Sequence, residues 1–397
     1  MKIAIIYGSY LPTKYGQSIG EFDYINLLSQ NLASHDCEVF IITSKTKDFA
    51  KSYSQGRGVT VCPLVPRWGI EGLFRGDYFQ VRKELRMIKP DIIKVIYFDC
   101  KLRTRYVLPY FLKFMFPEIP LITISFSPFF LKTSNVLYHL GAFILYLFSN
   151  RIYSDDDGGL YTLFRKIFPF LRKKLFFMPT GCNPIDYNKT IMNKTELRRN
   201  LGLSDSYKYI SFFGFWYRNK GVDILLRAVH LLLKQNNNVK LLLVGGRSRE
   251  KFNEYDKYIV SLIDDLQISS HVVLTGHCDS SMLVDYMLSS DIAVFPFRYN
   301  VLGRSSLMFA ISLGLPIIVA SSRRSSSGFL INRENIILVK PNDIEMLVRA
   351  MEELLKDETL RIKLATNIKK VADQLSWKKI SLKWLSIYNE IIKGKQI

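Results

Sequence analysis

Two corners of the chain combine cations with backbone of the kind that binds anions. In "FFGFWYRNKGVDILLRAV" an apolar run ends at Gly214, and a short loop carries Arg218 and Lys220. A periodic segment then starts near Gly221, with Val222, Leu225, Leu226 and Val229 on one side. In "FPFRYNVLGRSSLMFAISLGLPIIVA" the residues Gly303, Arg304, Ser305 and Ser306 stand between a buried strand and an otherwise apolar helix. The first N–H groups of a helix have no intrahelical acceptor, and the macrodipole adds positive potential there. A cation beside such a start therefore makes a phosphate site. Each corner also has a plainer explanation: two solvated surface cations in the first, helix capping by the serines in the second. Capping leaves Arg304 unaccounted for. The first corner is not a Walker loop, because Asn219 precedes Lys220 and Gly221 follows it. Two cationic helix starts facing the same edge of one sheet would hold a diphosphate between them.

Other reactive types are sparse. The run "YSDDDGG", Tyr153 to Gly159, has the Asp-x-Asp spacing that places hard oxygens on a divalent metal. It equally suits the first turn of a helix, where carboxylates meet the N-terminal dipole, and that reading is preferred. No metal and no cofactor is expected. Of the histidines, only His277, after Gly276, lies at a suspected corner; Asp99 follows a central strand of the first half. The five cysteines are scattered without a CxxC pair, which fits a reducing cytosol rather than a disulfide framework.

These corners need a sheet to carry them. A chain of 397 residues with 48% hydrophobic composition can build two domains with large cores. The first half alternates "KIAIIYG", "CEVFIITS", "PDIIKVIYF" and "PLITISFS" with helix-like segments. Apolar strands separated by helices indicate a parallel sheet covered on both faces. The pattern weakens over "MPTGCNPIDYNKT" and restarts with "KYISFFG", "VKLLLVGG", "HVVLTG", "DIAVFPF", "PIIVAS" and "NIILVKP". The expected organisation is α/β, with doubly wound parallel-sheet domains over 1–185 and 186–375 and a C-terminal helical segment, 376–397. That last helix places Trp377, Ile380, Trp384, Ile387 and Ile391 at helical spacing, a stripe that needs a packing partner.

The net charge of +20 admits nucleic acid, an anionic membrane or a phosphorylated substrate as partner. No nucleic-acid motif appears, and no nucleic-acid partner is expected. "VLYHLGAFILYLFS", Val136 to Ser149, is apolar but shorter than the roughly 20 residues of a spanning helix. "LFRKIFPFLRKKLFF", Leu163 to Phe177, mixes cations with phenylalanines. Such a mixture suits an anionic lipid leaflet, or else an amphipathic core helix with a solvated face.

In order and spacing, "GFWYRNKGVDILLRAV", "VKLLLVGG", "VVLTGHCDSSMLVDYMLSSDIAVFP", "FAISLGLPIIVAS" and "NIILVKPND" resemble the retaining GT-B glycosyltransferases of family 4, the glycosyl transferases group 1. "YGSYLPTKYGQSIG" and "FFMPTGCN" extend the resemblance, more loosely, into the first half. It implies two Rossmann-like domains with a cleft between them, the N-terminal one binding acceptor and the C-terminal one binding a nucleotide sugar. The last helix would pack back on the N-terminal domain. The implied activity is metal-independent transfer of a sugar from a nucleotide diphosphate sugar to a glycan or lipid-linked glycan. The implied place is the cytoplasm, peripheral on the inner face of the cell membrane. Lys220 matches the family lysine that binds the diphosphate. The family arginine five positions earlier falls on Phe215, and Arg218 is the nearest replacement for its charge. Lys220, Arg218 and Arg304 are the expected catalytic groups. Gly214, Gly276, His277, Gly303, Ser305 and Ser306 are expected to bind donor, and Gly20 matches a glycine-rich turn near the diphosphate and acceptor. The family's two glutamates fall on Val301 and Phe309, so recognition of sugar and ribose must differ here. That departure motivates an alternative, a catalytically silent GT-B-like protein that binds nucleotide sugar or glycolipid at a membrane surface.

Overall fold

The computed structural model describes residues 1–7, 20–45, 51–66, 75–98, 108–126, 143–154, 166, 169–182, 193–246, 254–298, 304–321 and 328–394. Gly303, Val301, Asp99 and the acidic run after Ser154 lie outside the described residues. The chain forms two compact units. One comprises Met1–Gly181 with Trp377–Ile397, the other Cys182–Ser376.

The first unit holds the strands β1 (Lys2–Ile6), β2 (Glu38–Ser44), β3 (Tyr53–Ser54), β4 (Val59–Val65), β5 (Ile92–Phe98), β6 (Leu121–Phe126), β7 (Arg151–Ser154) and β8 (Leu175–Phe177). They make one sheet in the order β3-β4-β2-β1-β5-β6-β7-β8. Only the short edge strand β3 is antiparallel to its neighbour. Ile3, Ala4, Ile5 and Ile6 are all buried, as a strand covered on both faces requires. The described helices of this unit are α1 (Gly20–Ala33), α2 (Asp77–Ile88) and α3 (Leu108–Met115), with a further helical run at 143–148.

The unit is completed by a segment from the far end of the chain. Its helix spans Trp377–Lys393, and it buries Trp377, Ile380, Ser381, Trp384 and Tyr388. The buried line thus turns through Tyr388, while Ile387 and Ile391 are only half-buried. Trp377 meets Tyr24 of α1 edge-on at 5.2 Å. Gly181 lies against the same indole so closely that a Cβ would sit 2.5 Å from it. Beneath this helix Lys94 of β5 is fully buried. Its Nζ stands 3.4 Å above the Trp384 ring and 2.9 Å from the Tyr388 hydroxyl. Burial pushes its pKa well below the usual lysine range.

The second unit opens with α4 (Lys194–Asn200) and then carries β9 (Lys208–Phe215), α5 (Val222–Leu233), β10 (Val239–Gly246), α6 (Glu254–Asp265), β11 (Val272–Gly276) and α7 (Ser280–Ser289). It continues through β12 (Ile292–Phe295), α8 (Ser305–Ser312), β13 (Ile317–Ala320), β14 (Ile337–Val339), α9 (Ile344–Lys356) and α10 (Glu358–Gln374). The sheet order is β11-β10-β9-β12-β13-β14. Every pair is parallel, so this is a doubly wound sheet. The strand order reverses between β9 and β12, which pair through Ile210↔Ile292 and Ser211↔Ala293. Crossovers leave such a point toward opposite faces, so a crevice opens at the strand ends there. The sheet's base is fixed by Asp291, just before β12. It accepts from the backbone N–H of Tyr209 at 2.8 Å and from the buried Arg198 guanidinium at 2.9 Å. Among the described residues no helix is long and apolar enough to cross a membrane.

Candidate functional site

The two cationic corners stand side by side at that reversal. β9 delivers Arg218, Asn219 and Lys220 in a single 3₁₀ turn, and β12 leads to the start of α8 at Ser305. The Lys220 ammonium donates to Oγ of Ser306 at 3.0 Å, bridging 86 positions of sequence. Phe297, fully buried, lies under both cations: its ring is 5.1 Å from the Lys220 nitrogen and 4.8 Å from the Arg304 guanidinium carbon. Arg304 occupies the N-cap of α8, with no side-chain cap bond. The amides of Ser305 and Ser306 are therefore among those that the helix itself leaves without acceptors. Gly214 closes the back of the corner; a Cβ there would meet Ser306 and come within 3.8 Å of the Lys220 nitrogen.

The electrostatics are one-sided. Among the described residues the Lys220 ammonium contacts a hydroxyl and an aromatic face, with a second cation nearby and no carboxylate. Burial, and then the charge of Arg304, push its pKa down to about 7. An anion placed there would relieve both penalties. Lys220, Ser306 and the helix start gather donors of positive potential at one corner, suited to a diphosphate.

Sequence reasoning missed the parts that hold the two corners together. Arg298, just past β12, donates from Nε to the Arg218 carbonyl at 2.9 Å and from its backbone N–H to the Asn219 carbonyl at 3.2 Å. Its guanidinium also grips Asp223 of α5 at 2.5 Å and the side-chain carbonyl of Asn342 at 2.7 Å. Asp223 in turn accepts from the Tyr255 hydroxyl at 2.7 Å. The Asp223 carboxylate is thus committed to this clamp. Gly221 completes the junction at φ +71°; a Cβ there would lie 2.0 Å from the Pro296 carbonyl oxygen. Arg298 stands inside the quoted motif, but its pairing with a residue 75 positions earlier has no spacing signature.

The other expected residues are dispersed along the same strand ends or lie elsewhere. Arg218 has an exposed side chain, and it is its carbonyl that the clamp uses. Ser305 is exposed, whereas Ser306 is buried. Gly276 and His277 are exposed at the end of β11. That strand's end is tied back to β10 by the Gly245 N–H donating to Thr275 Oγ1 at 3.2 Å. Gly20 is the first residue of α1, in the first unit. Phe309 packs its ring on Phe213 of β9, with centroids 5.3 Å apart, so an aromatic pair fills a position where the resemblance implied a carboxylate.

Residues 193–371 match the family model described as glycosyl transferases group 1. The matched stretch lies within the second unit. The chain is 28% identical over 225 residues to the uncharacterized glycosyltransferase MJ1607 of Methanocaldococcus jannaschii, covering 56% of this chain and 55% of the relative. It is 24% identical over 209 residues to the capsular polysaccharide biosynthesis glycosyltransferase CapM of Staphylococcus aureus, covering 51% of each. The chain spans about half the length of these curated relatives. Likeness of fold extends over the whole chain. A sucrose-phosphate synthase from Thermosynechococcus elongatus superposes with a TM-score of 0.76 at 18% identity, covering 99% of both chains. Anabaena Alr3699/HepE, solved with UDP, gives 0.73 at 15% identity, covering 98% of this chain and 100% of that one. The fold of the chain is GT-B, built on two parallel-sheet units.

Proposed function

We propose that this protein transfers a sugar from a nucleotide diphosphate sugar to a glycan or lipid-linked glycan, with retention at the anomeric carbon and without a metal. The observation that carries the reading is the Lys220–Ser306 contact at the strand reversal, where two cationic helix starts converge. Departure of the sugar builds negative charge on the diphosphate. Lys220, Arg304 and the first amides of α8 stabilise that charge more than they stabilise the intact donor, which is what lowers the barrier. Arg218, on the exposed side of the turn, and Gly276 and His277, at the end of β11, have the reach of a loop rim and serve the outer parts of the donor. The match of residues 193–371 to the group 1 family model and UDP in the HepE structure support a nucleotide-linked donor. The similarity to CapM supports a glycan acceptor. The protein works in the cytoplasm, at the inner face of the cell membrane.

The test is release of free nucleoside diphosphate from a panel of UDP-, GDP- and ADP-sugars in the presence of acceptor. Removal of one oxyanion-type donor typically costs about 10²–10³ in rate, and Lys220→Met is expected to fall in that range. The Phe309–Phe213 pair favours a second reading, a protein that binds donor without turnover. Donor binding with no diphosphate release across the panel would select it.

A further inference from the structure

The first unit presents a face that the donor site does not use. α3, the helical run at 143–148 and the 3₁₀ turn Pro169–Leu171 come together at the end of the sheet where β6, β7 and β8 begin. Phe114 and Phe148 touch edge-on at 4.9 Å, and Phe143 reaches Phe170 at 6.1 Å. Lys174 donates to the Leu147 carbonyl at 3.0 Å, and Lys113 to the Pro117 carbonyl at 2.6 Å. The Phe114–Phe148 contact joins α3 to the 143–148 run, and Lys174 with the Phe143–Phe170 contact joins that run to the 3₁₀ turn. Its apolar members stay in solvent: Phe114 is 64% exposed, Phe170 56%, and Leu147 and Phe148 37% each. Exposed apolar side chains are ordinary when single, but a contiguous group marks an interaction surface.

The charge beside it has one sign. Residues 108–119, 143–150 and 166–174 carry Lys113, Lys166, Arg172, Lys173 and Lys174 against Glu118 alone. Lys166, Arg172 and Lys173 are exposed. Aromatic rings for the headgroup boundary, ringed by cations, are complementary to an anionic bilayer.

We infer that this face is a membrane-docking surface, seating Phe114, Phe148 and Phe170 at the headgroup boundary of an anionic leaflet while Arg172 and Lys173 meet the lipid phosphates. It rests on the membrane location in the proposed function and names the residues that produce it. The face is at the strand-entry edge of its sheet. In such sheets ligands are held at the strand-exit edge, so docking leaves that edge unobstructed.

The experiment is sedimentation of the full chain with vesicles of phosphatidylcholine alone, or containing phosphatidylglycerol. The expected result is binding that grows with phosphatidylglycerol and falls with salt. Arg172→Gln with Lys173→Gln weakens binding to anionic vesicles by about thirty-fold, at the usual contribution per cation. Phe114→Ser with Phe170→Ser weakens it by about tenfold or more, through lost apolar burial. Lys234→Gln with Lys257→Gln, exposed cations of the second unit, leaves it unchanged. No binding to anionic vesicles, or equal loss in the Lys234/Lys257 control, overturns the assignment. So does full binding in both patch variants. Diphosphate release with a water-soluble acceptor is read in parallel on every variant. Turnover without vesicle binding refutes the docking face alone, and vesicle binding without turnover refutes the enzyme reading alone.

Discussion

If Lys220 holds the leaving diphosphate, donor binding must carry a proton with it. In the free protein the ammonium is buried beside Arg304, and its pKa is down at about 7. A diphosphate at 3 Å range supplies the missing counter-charge and returns the pKa toward the ordinary lysine value of about 10.4. Above pH 7 the free site is therefore mostly neutral, the occupied site is charged, and binding takes up a proton. Between about pH 7.5 and 9 the charged fraction of the free site falls from roughly a quarter to about 1%, so affinity falls about 25-fold. A nucleoside diphosphate is fully ionised across that range, its last phosphate pKa being about 6, so the ligand adds no slope of its own. Isothermal titration in two buffers of different ionisation enthalpy measures both the affinity and the proton count, which approaches about one per site at pH 8 to 8.5. Lys220→Arg, whose guanidinium stays charged, abolishes the slope; Lys220→Met abolishes it and weakens binding throughout. An affinity that stays flat from pH 7.5 to 9, or the same slope in Lys220→Met, would refute the role given to this lysine.

Gly221→Ala forces a Cβ into the Pro296 carbonyl and strains a positive φ. It should destabilise the protein by at least about 2 kcal/mol in urea denaturation and abolish donor binding by parting the two corners. Asp291 is pushed up by burial, but Lys194, the Tyr209 N–H and Arg198 outweigh that and hold its pKa below the usual range. Asp291→Ala strands the buried Arg198 charge and should cost about 3–5 kcal/mol. A depressed carboxylate stabilises the fold above its unfolded pKa and loses that as pH falls, so the wild type should lose stability below about pH 4, and the variant less steeply. Burial holds the pKa of Lys94 in the fold well below its unfolded value, so the group opposes folding below about pH 10 and ever less as pH rises toward that value. Lys94→Met with Tyr388→Phe removes that penalty and both polar atoms. It should gain about 1–4 kcal/mol and flatten the rise of Tm with pH, whereas Lys94→Met alone strands the Tyr388 hydroxyl at about 1–3 kcal/mol and ends near neutral.

The sheets were legible because their strands are short apolar runs with no alternation, the mark of burial on both faces. "KYISFFG", "VKLLLVGG" and "DIAVFPF" fall on β9, β10 and β12. Strand order is a different matter. That β9 lies next to β12 rather than farther off depends on long-range packing, yet it is this adjacency that brings Lys220 to Ser306. Residue type alone also treats Arg218 and Lys220 as equals. The structure separates them: one side chain is exposed on the turn and the other is half-buried against Phe297. The Arg298–Asp223–Tyr255 clamp joins three elements through side chains with no common spacing, so no local pattern announces it. Phe309 was visible as a departure, but its contact with Phe213 was not, since a ring pair across a helix and a strand leaves no period in the sequence.

The chain enters the second unit at Cys182 and leaves it at Ser376, and these two positions lie side by side: the Cys182 N–H donates to the Leu375 carbonyl at 2.8 Å. One compact body is thus threaded into the covalent path of the other. On the ribosome, Lys94 and its sheet must wait without their cover while the 195 residues of Cys182–Ser376 are made. Only then can Trp377, Trp384 and Tyr388 arrive to shut that core. Nascent chains stalled before Trp377 should therefore be open to protease at the first unit while the inserted one already resists.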